Sequence, residues 1–310
     1  MSIELATPTF SNEQICAHRG ASGSHPENTR GAFDAAANLG AGWIETDIQC
    51  LADGELAIFH DAYLGRTAPG SAEVTSLSWP DMAELDIGSW KDVLFAAERP
   101  LRCEDLIAWQ AEASGRPGIV WEVKCDGDPA AVESAAASVA QRLSNAGDHR
   151  CIVSSFSRAL LATLRPRLPA VPMALIAEAL LADGVAFCQE QGLEGIHLDG
   201  QQVTQESADT VLDAGLALRC YTINDVAEAE RLVALGVSMI MTDFPERFLA
   251  QHWSLSQVAY PDQIPCPRAL PRASWCAIPR GRPGQRAPAR AQTRADTQSK
   301  APPPHRVSAR

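Results

Sequence analysis

The sequence lacks the patterns that indicate a disulfide framework, a zinc knuckle or a membrane span. Its nine cysteines are odd in number and never form a CxxC pair, and eighteen consecutive apolar residues occur nowhere. The first fourteen residues have neither a basic start nor a continuous apolar run, so we expect no secretory signal. The sequence therefore predicts a cytoplasmic protein in which most cysteines are small core residues.

Basic side chains are scarce in the main part of the chain. Residues 254–310 contain ten Lys+Arg and two Asp+Glu, which leaves 16 basic and 36 acidic side chains in residues 1–253, a net charge of −20. A body of this sign repels nucleic acid and anionic membranes, and an anionic substrate would need a local cationic site or a metal. We therefore expect a small-molecule substrate and no nucleic-acid partner for the main part.

Short apolar or β-branched runs alternate with helix-like segments through most of the chain. A repeated strand-then-helix order indicates parallel strands with crossover helices, and 310 residues with 46% apolar content can bury a large core. Eight such strands over about 250 residues predict an α/β fold, the closed (β/α)₈ TIM barrel, with an open doubly wound sheet as the alternative. The apolar or β-branched runs number nine, since 43–48 and 56–60 follow each other without a helix between them. They are residues 15–18, 43–48, 56–60, 119–124, 151–154, 171–177, 195–198, 217–223 and 238–242.

Two segments depart from this alternation. Residues 62–100 contain two tryptophans and several turn signals, so in a barrel they would form an inserted cap subdomain over the active-site mouth. Residues 254–310 are rich in Pro and Arg, which predicts a disordered basic tail that is either dispensable or able to bind nucleic acid or anionic lipid. The predicted organisation is an N-terminal extension (1–14), a barrel (15–253) and this tail.

Carboxylates occur at alternate positions on two predicted strands. Because successive side chains of a strand point to opposite faces, Glu45 and Asp47 share one face of their strand, and Glu122 shares a face with Lys124. Buried like charges need a raised pKa, cationic partners or a metal, and three carboxylates are a suitable shell for one Mg²⁺ or Ca²⁺. Such pairs are also common on acidic surfaces, so their position at strand ends is what favours a site.

Two histidine-containing pairs, His18-Arg19 and His60-Asp61, stand near other predicted strand ends. Histidine can transfer protons near neutral pH, and arginine can bind phosphate oxygens through its forked donors. A single histidine in such a position is more often a hydrogen-bonded core residue than a catalytic one. The joint occurrence of these pairs with the carboxylates favours metal-assisted chemistry on a phosphate ester, since barrel enzymes place their reactive groups at strand ends.

These motifs resemble the signature of the glycerophosphodiester phosphodiesterase family. His18-Arg19, Glu45-x-Asp47 and His60-Asp61 match it, as does Pro26-Glu27-Asn28-Thr29. The resemblance extends from about Ile15 to Leu249 and implies a TIM barrel with a small subdomain inserted after the second strand. The further matching blocks are, in order, Leu64-x-Arg66-Thr67, Leu85-Asp86-x-Gly88-Ser89-Trp90, Glu122-Val123-Lys124, Val153-Ser154-Ser155-Phe156 and Thr242-Asp243-x-Pro245.

The resemblance also implies an activity and a set of residue roles. The activity is hydrolysis of glycerophosphodiesters, such as glycerophosphocholine or glycerophosphoethanolamine, to sn-glycerol 3-phosphate and an alcohol. The resemblance leaves two mechanisms open: attack by the glycerol 2-hydroxyl followed by hydrolysis of a cyclic phosphate, or direct attack by a metal-bound water molecule. The implied roles are general acid and base for His18 and His60, phosphate binding for Arg19 and Lys124, and binding of one divalent cation for Glu45, Asp47 and Glu122.

Other residues near the motifs have several possible roles. Glu27 could contact the metal shell or neutralise Arg19, and Asn28-Thr29 can cap the first helix. Tyr221 stands where many relatives have a tryptophan, so we expect an aromatic wall of the substrate pocket that also carries a hydroxyl. The alternative functions are a phospholipase D-like enzyme acting on lysophospholipids or sphingolipids, and a catalytically silent phosphate-binding barrel.

Overall fold

The computed structural model describes residues 10–125, 127–144 and 150–249. The strands in these ranges are β1 (Ile15–His18), β2 (Trp43–Cys50), β3 (Leu56–Ile58), β4 (Gly118–Lys124), β5 (Cys151–Ser155), β6 (Met173–Ala177), β7 (Gly195–Asp199), β8 (Ala217–Tyr221) and β9 (Met239–Thr242). The α-helices are α1 (Arg30–Leu39), α2 (Trp79–Met82), α3 (Cys103–Glu112), α4 (Pro129–Ser144), α5 (Arg158–Leu164), α6 (Gly184–Gln191), α7 (Gln205–Asp213) and α8 (Val226–Ala234).

Eight of these strands form a closed parallel barrel. Their order around the barrel is β1-β2-β4-β5-β6-β7-β8-β9, and β9 pairs again with β1, with Ile15 opposite Ile240. Parallel strands joined by crossover helices bring all their carboxyl ends to one mouth of the barrel. The predicted TIM barrel is therefore confirmed, and the pairing of β1 with β9 excludes the open doubly wound sheet.

The segment 56–60, which the sequence suggested as another strand of the alternation, is not part of the barrel. β3 runs antiparallel to β2, with Ile58 opposite Ile48. Only residues 51–55 separate the two strands, whereas a parallel connection needs about a dozen residues or more, so the chain turns back as a hairpin. The backbone N–H of Phe59 then donates to the carbonyl oxygen of Asp47 (3.1 Å), which brings His60 back to the mouth.

Helix α3 follows the inserted segment, which the sequence analysis placed between a strand and the next helix. The bounds of this helix were not predicted, because its buried face combines only Cys103, Leu106 and Trp109 with the polar Gln110 and gives a weak apolar pattern. After the last strand, the strand–helix alternation of the sequence predicts a closing helix from Pro245. The structure has a single 3₁₀ turn there, Pro245–Arg247, so this prediction was wrong.

Apolar side chains of the described residues form three cores. The largest lies between the barrel strands and the surrounding helices. The second fills the barrel interior and consists of Cys16, Val120, Ile152, Ala174, Met239 and Met241. The third belongs to the inserted segment and the β2–β3 hairpin, and consists of Leu51, Ala57, Phe59, Ala68, Val74, Met82 and Ile87. The inserted segment therefore rests on the barrel through a small core of its own.

The two ends of the chain are described to different extents. Phe10, within the predicted N-terminal extension, is buried and packs edge-on against Phe248, with ring centroids 5.6 Å apart. The predicted tail, residues 254–310, lies outside the described residues, and the predicted domain boundaries stay predictions. In the described ranges, every helix is too short or too polar to cross a lipid bilayer.

Candidate active site

Three carboxylates meet inside the mouth of the barrel. Glu45 and Asp47 extend from β2 and Glu122 from β4, and the strand register places Asp47 directly opposite Glu122. One oxygen atom of each residue lies within 4.8 Å of the others. Glu45 and Asp47 are 3% and 0% exposed, so their charges are shielded from water. Pairing of neighbouring strands thus joins the two acidic patterns of the sequence into one group.

Burial and mutual repulsion change the pKa values of these carboxylates. Burial, together with the charges of Asp47 and Glu122, raises the pKa of Glu45 well above its ordinary value. Burial and the charge of Asp47 raise the pKa of Glu122 to about 7. Burial also opposes ionisation of Asp47, but the charges of Lys124 and Arg19 outweigh it and hold the pKa of Asp47 below its ordinary value.

The cluster of three carboxylates has the chemistry of a divalent-cation site. The Oε1 atom of Glu45 is buried and has no hydrogen-bond partner among the described residues. A buried acceptor of this kind costs free energy unless a donor or a cation reaches it. Mg²⁺ and Ca²⁺ prefer carboxylate oxygens as ligands, so the three residues fit a divalent metal.

His18, at the carboxyl end of β1, is oriented by an aspartate. Its Nδ1 atom lies 2.7 Å from Oδ1 of Asp243, which follows β9, and its Nε2 atom lies 3.9 Å from Oε2 of Glu45. Asp243 also accepts hydrogen bonds from Ser22 Oγ (3.0 Å) and Asn224 Nδ2 (2.8 Å). Although burial opposes its ionisation, these donors and His18 lower the pKa of Asp243. Because a carboxylate only accepts, the Nδ1 atom of His18 carries the proton.

His60 is held in the same way by the next residue in the chain. Its Nδ1 atom lies 2.7 Å from Oδ1 of Asp61. Burial lowers the pKa of His60, and the charges of Arg19 and Lys124 add to this effect against the attraction of Asp47. Donation from Nδ1 leaves Nε2 as the ring nitrogen that can exchange a proton with a substrate.

Two cations border the carboxylates. The Nζ atom of Lys124 lies 3.0 Å from Oδ1 of Asp47 and also contacts Glu122. The Nε atom of Arg19 lies 3.3 Å from Oδ2 of Asp47, and its backbone N–H donates to Oε2 of Glu45 (3.1 Å). Arg19 has a φ angle of 56°, in the left-handed region that side chains rarely adopt. Such backbone strain is typical of functional positions.

Glu27 lies beside the cluster of three carboxylates but is not one of them. Its oxygens accept hydrogen bonds from Nη1 of Arg19 at 2.8 Å and from Nη1 and Nη2 of Arg66, both at 2.7 Å. These donors hold the pKa of Glu27 below its ordinary value despite its burial. The contacts support the interpretation that Glu27 neutralises Arg19 over the interpretation that it contacts a metal.

Asn28 and Thr29, which the sequence analysis treated together as a helix cap, have different roles in the structure. Asn28 donates from Nδ2 to Oδ2 of Asp47 and accepts at Oδ1 from the hydroxyl of Thr46, both at 2.8 Å. It therefore orients a carboxylate of the site. Thr29 is the N-cap of α1, since its Oγ1 accepts from the backbone N–H of Ala32 (3.2 Å).

Tyr221 and His197 line a small cavity beneath the carboxylates. The hydroxyl of Tyr221 donates to the carbonyl oxygen of Ala177 (3.1 Å), and its ring meets Phe156 edge-on with centroids 6.3 Å apart. The hydroxyl of Tyr221 is thus held by the backbone of β6, and the residue lines the small cavity. His197 is buried, with Nε2 3.4 Å from Nη1 of Arg219, and is a packed residue.

Two open clefts reach the site from different sides of the inserted segment. One, of about 520 Å³, lies between this segment and α4 and reaches His60 and Lys124. The other, of about 320 Å³, reaches His18 and Arg19 and is bordered by Lys91. A substrate with substituents on both sides of a phosphate could therefore extend into both clefts.

The sequence did not identify the roles of three charged residues at the site, Asp243, Arg66 and Lys91. Asp243 and Arg66 lie in blocks that carry the family resemblance, but neither had an assigned role. The position of Asp243 directly after a barrel strand was a usable signal, because reactive groups gather there. Lys91 had no such signal, since its place at the cleft depends on how the inserted segment folds.

The sequence is similar to those of known proteins. The sequence profile of the Glycerophosphoryl diester phosphodiesterase family matches residues 18–247. A glycerophosphodiester phosphodiesterase of Bacillus subtilis (strain 168) is 31% identical over 252 residues, which cover 75% of this chain and 84% of the relative. One from Bacillus altitudinis is 28% identical over 250 residues, which cover 76% of this chain and 96% of the relative.

Solved structures show the same similarity. An Oleispira antarctica phosphodiesterase in complex with the product sn-glycerol-3-phosphate has a TM-score of 0.72 and 26% identity, over 76% of this chain and 94% of that chain. A glycerophosphodiester phosphodiesterase from Agrobacterium tumefaciens has a TM-score of 0.61 and 26% identity, over 76% of this chain and 98% of that chain. The family match spans every residue of the site, and the chain belongs to the glycerophosphoryl diester phosphodiesterase family.

Proposed function

We propose that this protein hydrolyses glycerophosphodiesters, such as glycerophosphocholine and glycerophosphoethanolamine, to sn-glycerol 3-phosphate and an alcohol. The observation that carries the proposal is the arrangement of His18 and His60, each with Nδ1 on its own aspartate, around three clustered carboxylates. The product bound to the Oleispira antarctica relative supports the same reaction. The reaction would take place in the cytoplasm, a location that rests on the sequence prediction alone.

A divalent cation, Mg²⁺ or Ca²⁺, would be held by Glu45, Asp47 and Glu122. When bound, such an ion neutralises charge on the phosphate and lowers the free energy of the more negative transition state. Burial, and the repulsion between carboxylates that a cation would relieve, raise the pKa values of Glu45 and Glu122.

Arg19 and Lys124 would bind the non-bridging oxygens of the phosphate. Both cations already lie within 3.3 Å of Asp47, so a phosphate next to the carboxylate group comes within their reach. Their charges offset the repulsion between an anionic substrate and the acidic body. Because the protein holds them in place before the reaction, they stabilise the developing charge without reorganisation. Tyr221 would bound the substrate pocket as its aromatic wall.

Proton transfer would be divided between His18 and His60. One imidazole takes the proton of the attacking hydroxyl, either the glycerol 2-hydroxyl or water, and the other donates a proton to the departing alcohol oxygen. Hydrogen bonds from both Nδ1 atoms to aspartates direct the Nε2 atoms to this task. The phosphorus–oxygen bond to the alcohol breaks, and a bond to the attacking oxygen forms. When water attacks, the product is glycerol 3-phosphate; when the glycerol 2-hydroxyl attacks, the product is a cyclic phosphate, which water then hydrolyses to glycerol 3-phosphate.

A lysophospholipid is the second candidate substrate. Trp90, Val93 and Leu94 on the inserted segment are 41%, 77% and 86% exposed. These three residues are close in the sequence to Lys91, and Lys91 borders the cleft that reaches His18. Apolar side chains exposed beside a cleft favour contact with an acyl chain or a lipid surface. This observation supports a phospholipase D-like activity as the alternative.

The test is a panel of glycerophosphocholine, glycerophosphoethanolamine and lysophosphatidylcholine, each assayed with Mg²⁺, Ca²⁺ or a chelator. We expect glycerol 3-phosphate from the first two substrates when a metal is present. Choline release from lysophosphatidylcholine alone would make the phospholipase D-like reaction the main activity. A protein that turned over none of these substrates but bound phosphate would be the catalytically silent barrel.

A further inference from the structure

Arg66, in the inserted segment, holds two carboxylates at once. Its Nη1 and Nη2 atoms donate to the two oxygens of Glu27, each at 2.7 Å. Its Nε and Nη2 atoms donate to the two oxygens of Asp61, at 2.7 and 2.9 Å. One guanidinium group therefore makes two forked contacts, a geometry that the planar donors of arginine allow and a lysine ammonium does not.

Each carboxylate held by Arg66 orients another residue of the site. Asp61 accepts the hydrogen bond from Nδ1 of His60 at 2.7 Å, and Glu27 accepts one from Nη1 of Arg19 at 2.8 Å. The result is a continuous chain of charged groups from Arg19 to His60, in which Arg66 is the central member.

The inserted segment fixes the position of Arg66. The backbone N–H groups of Leu64 and Gly65 donate to the carbonyl oxygens of Ala72 and Ala68, both at 2.9 Å, and close the loop that carries Arg66. Ala68 is buried in the core of the inserted segment, and Leu64 packs against that core. The loop is therefore anchored by the packing of the inserted segment.

We propose that Arg66 is a positioning residue that sets the orientations of His60 and Arg19 at the same time, and thereby couples the inserted segment to proton transfer and phosphate binding. This inference rests on the proposed phosphodiesterase reaction. The side chain of Arg66 is 45% exposed, and ion pairs at exposed positions contribute little to global stability. The main effect of Arg66 is on the geometry of the site.

The test compares Arg66→Ala and Arg66→Lys with Arg99→Ala. Arg99 is a matched control, because it lies in the same segment and donates to the backbone carbonyl oxygens of Ala96 and Glu98. We expect kcat for glycerophosphocholine to fall by about tenfold to a hundredfold in both Arg66 variants, since small displacements of reacting groups have effects of that size. The thermal unfolding midpoint should stay close to that of Arg99→Ala.

The lysine variant separates charge from geometry. Arg66→Lys keeps the positive charge but loses the double fork, so kcat should remain below the wild-type value. A wild-type kcat in Arg66→Lys, or a loss in Arg66→Ala no larger than in Arg99→Ala, would overturn the proposal. If Arg66→Ala fails to fold, both readouts are taken on Arg66→Lys.

A second readout follows His60 without turnover. In ¹⁵N-histidine-labelled protein, the hydrogen-bonded Nδ1–H of His60 should give a downfield proton resonance, which a His60→Gln variant assigns. We expect this resonance to weaken or vanish in the Arg66 variants, and an unchanged resonance would also overturn the proposal. If the wild type releases no glycerol 3-phosphate, the proposed function fails, whereas this measurement still decides the role of Arg66.

Discussion

At the scale of single residues, each site histidine is paired with an aspartate. His18 bonds to Asp243 and His60 bonds to Asp61, both through Nδ1 at 2.7 Å. The second pair is adjacent in the sequence and was visible there. The first joins residues that are 225 positions apart, so no local spacing could indicate it. In both pairs the aspartate determines which ring nitrogen is left for the substrate.

Removal of either histidine should lower turnover. We expect His18→Ala and His60→Ala each to reduce kcat for glycerophosphocholine by about 10²- to 10⁴-fold, the usual contribution of a positioned acid or base. The control is His25→Ala, because His25 packs against Phe95 with ring centroids 5.4 Å apart and has no assigned role in the reaction. Rates close to the wild type in both variants would show that the assigned roles are wrong.

At the scale of elements, the start of α1 shows how a local signal supports the site. The hydroxyl of Thr29 accepts from the N–H of Ala32 and donates to the carbonyl oxygen of Pro26, at 3.2 and 2.7 Å. Thr29 is fully buried and directly follows Glu27 and Asn28, so the same turn that begins the helix also presents these two residues. The sequence predicted this helix start because Asn and Thr are common N-cap residues.

Loss of this cap should destabilise the protein. We expect Thr29→Ala to lower the free energy of unfolding by about 1 to 2 kcal/mol, since the N–H of Ala32 loses its acceptor. Thr29→Ser keeps the hydroxyl and should retain most of that stability. Urea denaturation followed by circular dichroism measures both variants, and equal stabilities would exclude a capping role.

The β2–β3 hairpin is the element that sequence analysis described least well. The apolar run was recognised, but its direction depends on the short connection at residues 51–55. The prediction treated His60 as the last residue of a strand of the alternation. In the structure, the antiparallel return of β3 brings His60 to the level of Asp47 by a different route.

At the scale of the whole molecule, barrel closure assembles the site. The pairing of β1 with both β2 and β9 places His18 between the carboxylates of β2 and Asp243. The three clustered carboxylates are largely buried and repel one another, which costs free energy in the absence of a cation. Binding of a metal to the folded chain should therefore stabilise the whole protein.

Metal addition and removal test this expectation. We expect Mg²⁺ or Ca²⁺ to raise the thermal unfolding midpoint of the wild type, and EDTA to reverse the shift and stop turnover. The variant Glu45→Gln should lose most of the shift, whereas Glu84→Gln, which changes an exposed carboxylate, should keep it. Turnover that is indifferent to the chelator would remove the metal from the proposed function.

Removal of residues 254–310 tests the predicted role of the tail. Every residue assigned to the site lies between His18 and Asp243, so we expect a chain that ends at Trp253 to keep the kcat of the full chain. A loss of tenfold or more would show that the tail belongs to the working enzyme.

The sequence by itself determined the strand–helix alternation and the faces that side chains share. Because the side chains of a strand alternate between its two faces, Glu45 shares a face with Asp47, and Glu122 shares one with Lys124. This follows without information from the rest of the chain. The eightfold repeat of strand and helix then favours a closed barrel, whose strand ends meet at one mouth. For these reasons the fold and most of the candidate site could be predicted.

Only the tertiary structure decided which of these residues contact one another. The pairing of His18 with Asp243 requires the last strand to close on the first. The contacts of Arg66 with Glu27 and Asp61 require the inserted segment to fold on the β2–β3 hairpin. These contacts join distant parts of the chain, and their geometry is set by barrel closure and core packing, which local sequence patterns do not encode.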